Sequence, residues 1–258
     1  MRINQPARSL AVAALLATFT LTTPAAEPKG HAAHHPAHWG YSGEQGANHW
    51  GSMEPGFALC KNGKAQSPID IKMAGSGKPS AIDFGYAQSG AEVINNGHTI
   101  QVNVANGGSI KLDGTDYTLL QFHFHTPSEE KIGGKAYPLV AHLVHKSAAG
   151  QLAVVAVLFE VGDENQALKP VFSALPAKEG EATKLTSGFN ASAILPAYKG
   201  HYKFMGSLTT PPCSEGVRWQ VMKQRVELSK QQLDAFRKLF PMNARPVQPL
   251  NGRKVEES

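Results

Sequence analysis

Between Ile69 and Val161 the chain runs as short blocks of strand-forming residues broken by Gly, Asn and Asp. The blocks cover residues 91–94, 99–104, 109–112, 117–125, 138–145 and 152–159. Asn95-Asn96-Gly97 and Asp113-Gly114 lie between consecutive blocks and are hairpin signals, so much of the sheet they predict is antiparallel. Residues 152–159, Leu-Ala-Val-Val-Ala-Val-Leu-Phe, are apolar on both faces and predict a central strand. Helical spacing is clear once. Ser229 and Gln232 make a capping box, Leu233, Phe236, Leu239 and Phe240 form one apolar stripe, and Pro241 ends it. This predicts a helix that packs on the sheet.

The N-terminus departs from that pattern. Arg2 and Arg8 precede an apolar stretch over residues 10–21 and a small-residue exit at Thr23-Pro24-Ala25-Ala26, which reads as a secretory signal over residues 1–26. The stretch is too short to span a bilayer comfortably, so no membrane anchor is expected after cleavage. Cleavage removes two arginines and no acid, taking the formal charge from +5 to +3. That surplus does not point to nucleic acid. Residues 27–38, with His31, His34, His35 and His38, have no face to bury and read as a mobile lead-in. Residues 39–258 are then one β-rich domain, long enough for a substantial core. In an exported chain Cys60 and Cys213, the two cysteines present, are expected to form a disulfide.

Candidate chemistry sits in two of the strand blocks. In Phe122-His123-Phe124-His125 the period-two alternation puts both histidines on one face and both phenylalanines on the other. The next block contains His142 and His145, which are three apart and face opposite ways, so one of them can complete a three-histidine site. Alternation alone does not choose between them. Three protein ligands leave a fourth tetrahedral position for water, the arrangement of a catalytic zinc, and two distant cysteines exclude a cysteine-based site.

Several motifs together resemble the α-class carbonic anhydrases, of the exported bacterial type. They are Gln66-Ser67-Pro68-Ile69, Asn95-Asn96-Gly97-His98, Gln121-Phe122-His123-Phe124-His125, Pro127-Ser128-Glu129, Ala141-His142-Leu143-Val144-His145 and Gly206-Ser207-Leu208-Thr209-Thr210-Pro211-Pro212. The resemblance extends from about Trp39 to Leu250. It implies a single mainly-β domain on a large central twisted, mostly antiparallel sheet with a few short peripheral helices. It also implies zinc as cofactor and hydration of carbon dioxide to bicarbonate and a proton by zinc-bound hydroxide. The metal would be held by His123 and His125 through Nε2 and by His142 through Nδ1, with Gln121 and the backbone of Asn243 supporting the first two.

By the same resemblance Thr209 and Glu129 form the pair that aims the nucleophile, and Val144, Val154, Leu208, Val217 and Trp219 form an apolar wall for carbon dioxide. His98 is the proton shuttle, with Tyr41, Asn96 and Thr210 ordering water. A periplasmic or secreted location is implied, and a homodimer is left open. Rival readings are a catalytically weak or silent zinc-binding relative and a zinc-sequestering protein using residues 31–38. Four positions depart from the pattern. Gln101 stands where Asn is common, Phe204 replaces a Tyr, Glu130 stands where His is usual, and Val140 replaces the Glu that supports the third ligand. The Val140 departure predicts weakened zinc retention, improved by Val140→Glu. Strand alternation turns Glu130 away from Glu129 and leaves the local packing as the question.

Overall fold

The computed structural model describes residues 38–72, 74–77 and 80–258; the expected signal segment 1–26 and residues 27–37 lie outside them. Among the described residues thirteen strands join one sheet. Its path runs Ala182–Phe189, Ser89–Asn95, Ile100–Ala105, Thr115–His125, Leu139–Ser147, Leu152–Val161, Glu215–Met222 and His201–Ser207, and ends on the two short strands Glu256–Glu257 and Gly75–Ser76. Most neighbours are antiparallel. Leu152–Val161 pairs in parallel with Glu215–Met222 and with Val226–Leu228, so the doubly apolar segment is central as its composition predicts.

Both hairpin signals form hairpins. Asn96 Oδ1 accepts hydrogen bonds from the backbone N–H of His98 and Thr99, at 3.0 and 2.9 Å, and Gly97 takes φ +83°. Asp113 and Gly114 take φ of +49° and +82°, the left-handed pair that a two-residue turn between twisted strands needs.

The sheet separates two apolar cores. Phe122, Phe124, Ala141, Leu143, Val155 and Val157 face one side, where Leu233 and Phe236 of the helix Lys230–Leu239 pack on them. That helix carries the expected box, Ser229 Oγ accepting from Gln232 N at 3.2 Å and Gln232 Oε1 from Ser229 N at 3.0 Å. Val140, Val144, Val154, Val217 and Trp219 face the other side. The described residues thus form one large sheet, a separate two-stranded sheet of Asp70–Ile71 with Lys131–Ile132, and a few short helices. Strands after residue 182 were not anticipated: Ala182–Phe189 is a largely exposed edge strand, and His201–Ser207 pairs with Glu215–Met222 around the segment that carries Thr209. Cys60 and Cys213 are joined by a disulfide, closing a sequence separation of 153.

Candidate metal centre

Register decides which histidines meet. Strands Thr115–His125 and Leu139–Ser147 are antiparallel with His123 opposite His142 and His125 opposite Val140. The three imidazoles of His123, His125 and His142 therefore share one face, and their candidate ligand atoms all lie within 4.8 Å of one another. His145 points to the other face, where Nε2 meets the Tyr86 hydroxyl at 2.8 Å and Nδ1 lies 3.3 Å from the Ala153 carbonyl. The alternation that left two candidates is resolved in favour of His142.

Each ring's outer nitrogen has an acceptor, which fixes where its lone pair is left. His123 Nδ1 donates to Gln121 Oε1 at 2.8 Å, and His125 Nδ1 donates to the Asn243 carbonyl at 2.7 Å. His142 uses the opposite atom, its Nε2 lying 3.0 and 3.1 Å from the two carboxylate oxygens of Glu130. The free lone pairs are thus Nε2 of His123, Nε2 of His125 and Nδ1 of His142. His125 Nε2 is buried with no hydrogen-bond partner, a costly state unless something accepts electron density from it. Burial, with the neighbouring His142, pushes His123 down to about 3 and holds His125 well below the ordinary value, so both rings are neutral. Burial lowers His142 too, but the Glu130 and Glu129 carboxylates outweigh it and raise that ring. Three imidazole nitrogens around one point suit a divalent, borderline-soft cation such as zinc, which competes with a proton only at His142.

Two carboxylates close the site from one side. Glu129 Oε2 lies 3.6 Å from His125 Nε2 and 3.8 Å from His142 Nδ1, and Glu129 Oε1 accepts the Arg245 backbone N–H at 2.8 Å. Burial raises Glu129 to about 7; Glu130 adds to the rise, while His142, the Thr209 hydroxyl and the Arg245 N–H oppose it. Strand alternation does not apply to this pair. Residues 126–130 form a bend between strands, in which both side chains turn inward and are fully buried. Two expectations are corrected here. Glu130 does not face away from the centre, and His142 does not lack a partner in consequence of Val140.

The family model for eukaryotic-type carbonic anhydrase matches residues 45–258. This chain belongs to the α-class carbonic anhydrases. It is 44% identical to the carbonic anhydrase of Pectobacterium carotovorum over 84% of this chain and 90% of that one. It is also 44% identical to that of Neisseria gonorrhoeae, over 94% and 96%. Among solved structures, the α-carbonic anhydrase of Thermovibrio ammonificans in complex with the inhibitor sulfanilamide superposes with a TM-score of 0.84 at 46% identity, covering 86% of this chain and all of that one. Carbonic anhydrases of this class use zinc and hydrate carbon dioxide reversibly, and the three imidazoles described above fit that metal.

In this carbonic anhydrase the residues expected to form the apolar wall gather beside His142. Val144, Val154, Val217 and Trp219 are buried in one cluster with Leu208 packed on it, and the Trp219 ring lies 4.9 Å from that of His142. Phe204 stacks on Trp219 with ring centres 6.0 Å apart, so the missing hydroxyl leaves an apolar contact. His98 is half-buried with its ring flat on Trp39, centroids 3.7 Å apart and planes 6° from parallel. Tyr41 and Asn243 line the same cavity as His98, and the Tyr41 hydroxyl is buried without a partner. Asn96 holds the hairpin turn, and its amide meets Gln101 Oε1 at 3.4 Å. Thr210 sits in the turn after Thr209, its carbonyl accepting from Cys213 N at 2.8 Å.

Two residues have contacts at the site that the sequence reading does not assign. Arg245 is buried and bonds Gln66 Oε1, Ser67 O and Cys60 O while its backbone holds Glu129. Trp39, which the sequence marks only as the start of the resembling region, stacks on His98.

Proposed function

We propose that zinc held by His123, His125 and His142 in this chain hydrates carbon dioxide to bicarbonate and a proton, in the periplasm or outside the cell. The observation that carries the reading is the convergence of three lone pairs, each left free because the ring's other nitrogen donates to a fixed acceptor. Bound there, zinc supplies the Lewis acidity that makes a hydroxide nucleophile available near neutral pH, an effect of which this family is itself the standard instance.

The chain's own residues do the rest. Glu129, ionised, accepts a hydrogen bond from the Thr209 hydroxyl, so Thr209 Oγ1 is left to accept a hydrogen bond from the attacking oxygen, whose lone pair then faces the apolar wall. A divalent cation a few ångströms away favours the charged form of Glu129 against its burial. Val144, Val154, Leu208, Val217 and Trp219 offer carbon dioxide an apolar surface and no hydrogen bond that would hold bicarbonate there. His98 and the cavity it shares with Tyr41 carry the proton outward. The disulfide is in keeping with export.

The test is stopped-flow carbon dioxide hydration with bound zinc quantified in the same sample. Zinc-loaded protein should turn over well above the metal-free control, and Thr209→Val should lower kcat/KM by about 10²-fold at unchanged zinc content. Equal rates with and without metal would leave a zinc-binding relative without this activity.

A further inference from the structure

We propose that Glu130 is the positioning residue for the third zinc ligand, taking over from position 140 the task of holding His142. The proposal rests on the reading of His142 as a ligand. Val140 lies two residues before His142 on the same face, opposite His125, and is fully buried in hydrocarbon, so it offers the ring no acceptor. Glu130 reaches the same nitrogen from a different part of the chain, with Oε1 at 3.0 Å and Oε2 at 3.1 Å from His142 Nε2.

The contact is built into the fold. Ser128 N donates to the Tyr137 carbonyl at 2.8 Å, Tyr137 N donates to Ser128 Oγ at 2.9 Å, and Ser128 Oγ donates to the Glu130 carbonyl at 2.7 Å. Immediately afterwards Lys131 N donates to Ile69 O, and Lys131–Ile132 pairs with Asp70–Ile71. The backbone on both sides of Glu130 is therefore pinned, and its carboxylate is 0% exposed with His142 as its hydrogen-bond donor. A carboxylate in that place fixes the ring's rotation, puts the proton on Nε2 and leaves Nδ1 for the metal.

One consequence separates this arrangement from support at position 140. Ligand support and the acceptor of the Thr209 hydroxyl here sit on consecutive residues, so displacing the 129–130 bend disturbs both metal retention and nucleophile orientation. Glu130 in turn explains how an apolar Val140 is accommodated.

Zinc affinity, read by competition with a chromogenic chelator, tests the proposal independently of turnover. Glu130→Ala should weaken binding about 10–100-fold, and Glu130→Gln, which keeps an acceptor oxygen but loses the charge, should weaken it less. The visible spectrum of the cobalt-substituted protein should shift in both. Glu130→Ala combined with Val140→Glu should recover most of the lost affinity, while Val140→Glu alone should gain nothing, because Nε2 has one proton to donate. Unchanged affinity in both Glu130 variants, or a loss that Val140→Glu leaves unrepaired, overturns the assignment. His142→Ala is the reference: if it binds zinc as tightly as the parent, the three-histidine reading has failed, and not the role of Glu130 alone.

Discussion

At His98 the position of one ring translates into a kinetic split. Its imidazole lies flat on Trp39, and burial together with the nearby His38 lowers its pKa, against a smaller opposing pull from Glu179. A ring with a depressed pKa is neutral, and so able to accept a proton, at neutral pH and somewhat below the usual histidine range. In the proposed cycle proton removal follows conversion of carbon dioxide, so a shuttle at His98 would set turnover and leave the earlier steps alone. His98→Ala should lower kcat in weak buffer by up to about 10²-fold, keep kcat/KM, and regain kcat when imidazole is added. Loss of kcat and kcat/KM in equal measure would give His98 a different task. The histidine was legible in the sequence by its motif; its Trp39 support was not, because stacking between residues 59 apart leaves no local pattern. Glu130 escaped for a more specific reason. Alternation is a property of strands, and Pro127 with the Ser128 hydrogen bonds makes residues 126–130 a bend in which adjacent side chains can both turn inward.

Elements were legible where hydrophobic periodicity and turn chemistry agreed. The Asn96-Gly97 and Asp113-Gly114 hairpins and the capped helix Lys230–Leu239 carry both signals, while the central strand Leu152–Val161 was legible from its unbroken apolar run. The strand His201–Ser207 carries neither strongly, having Lys203 and Gly206 among its seven residues, yet it leads directly into the segment of Thr209. Gly206 has a packing reason to lack a side chain. A Cβ there would stand 2.1 Å from Ser67 Oγ and 2.8 Å from Trp219 Cδ1. Around it Ser67 and Ser207 exchange two hydrogen bonds, Ser67 N to Ser207 Oγ at 2.9 Å and Ser207 N to Ser67 Oγ at 3.1 Å, and Trp219 Nε1 donates to Ser207 O at 3.0 Å. Gly206→Ala must push this knot apart. It should cost about 1–3 kcal/mol by overpacking and lower kcat/KM through the displaced Thr209, as thermal melts and hydration kinetics on the same zinc-loaded sample would record. A variant with parental melting temperature and kinetics would mean that the strand relaxes without disturbing Thr209.

Across the whole molecule, segments far apart in sequence are tied together behind the zinc site. Cys60 is bonded to Cys213, Gln66 Nε2 donates to the Cys213 carbonyl at 3.0 Å, and Arg245 donates to Cys60 O at 2.9 Å and to Gln66 Oε1 at 2.9 Å. Through its backbone N–H the same Arg245 holds Glu129. The disulfide was legible because an expected signal segment makes two cysteines a pair; the arginine was not, since a single cation far from the motifs reads as surface until its burial is seen. The two ties act on different states. A bridge closing a sequence separation of 153 chiefly restricts the unfolded chain, whereas the Arg245 network exists only in the folded one. Replacing both cysteines by serine should therefore remove about 2–5 kcal/mol of stability, lower the urea midpoint and raise the m-value, because the unfolded chain opens further. Hydration activity per bound zinc at 25 °C should change little, since Gln66 and Arg245 still hold the Thr209 segment and Glu129. If activity per zinc falls together with the midpoint under conditions where the variant is fully folded, the bridge positions the site directly, and the division of labour between covalent and hydrogen-bonded ties is wrong.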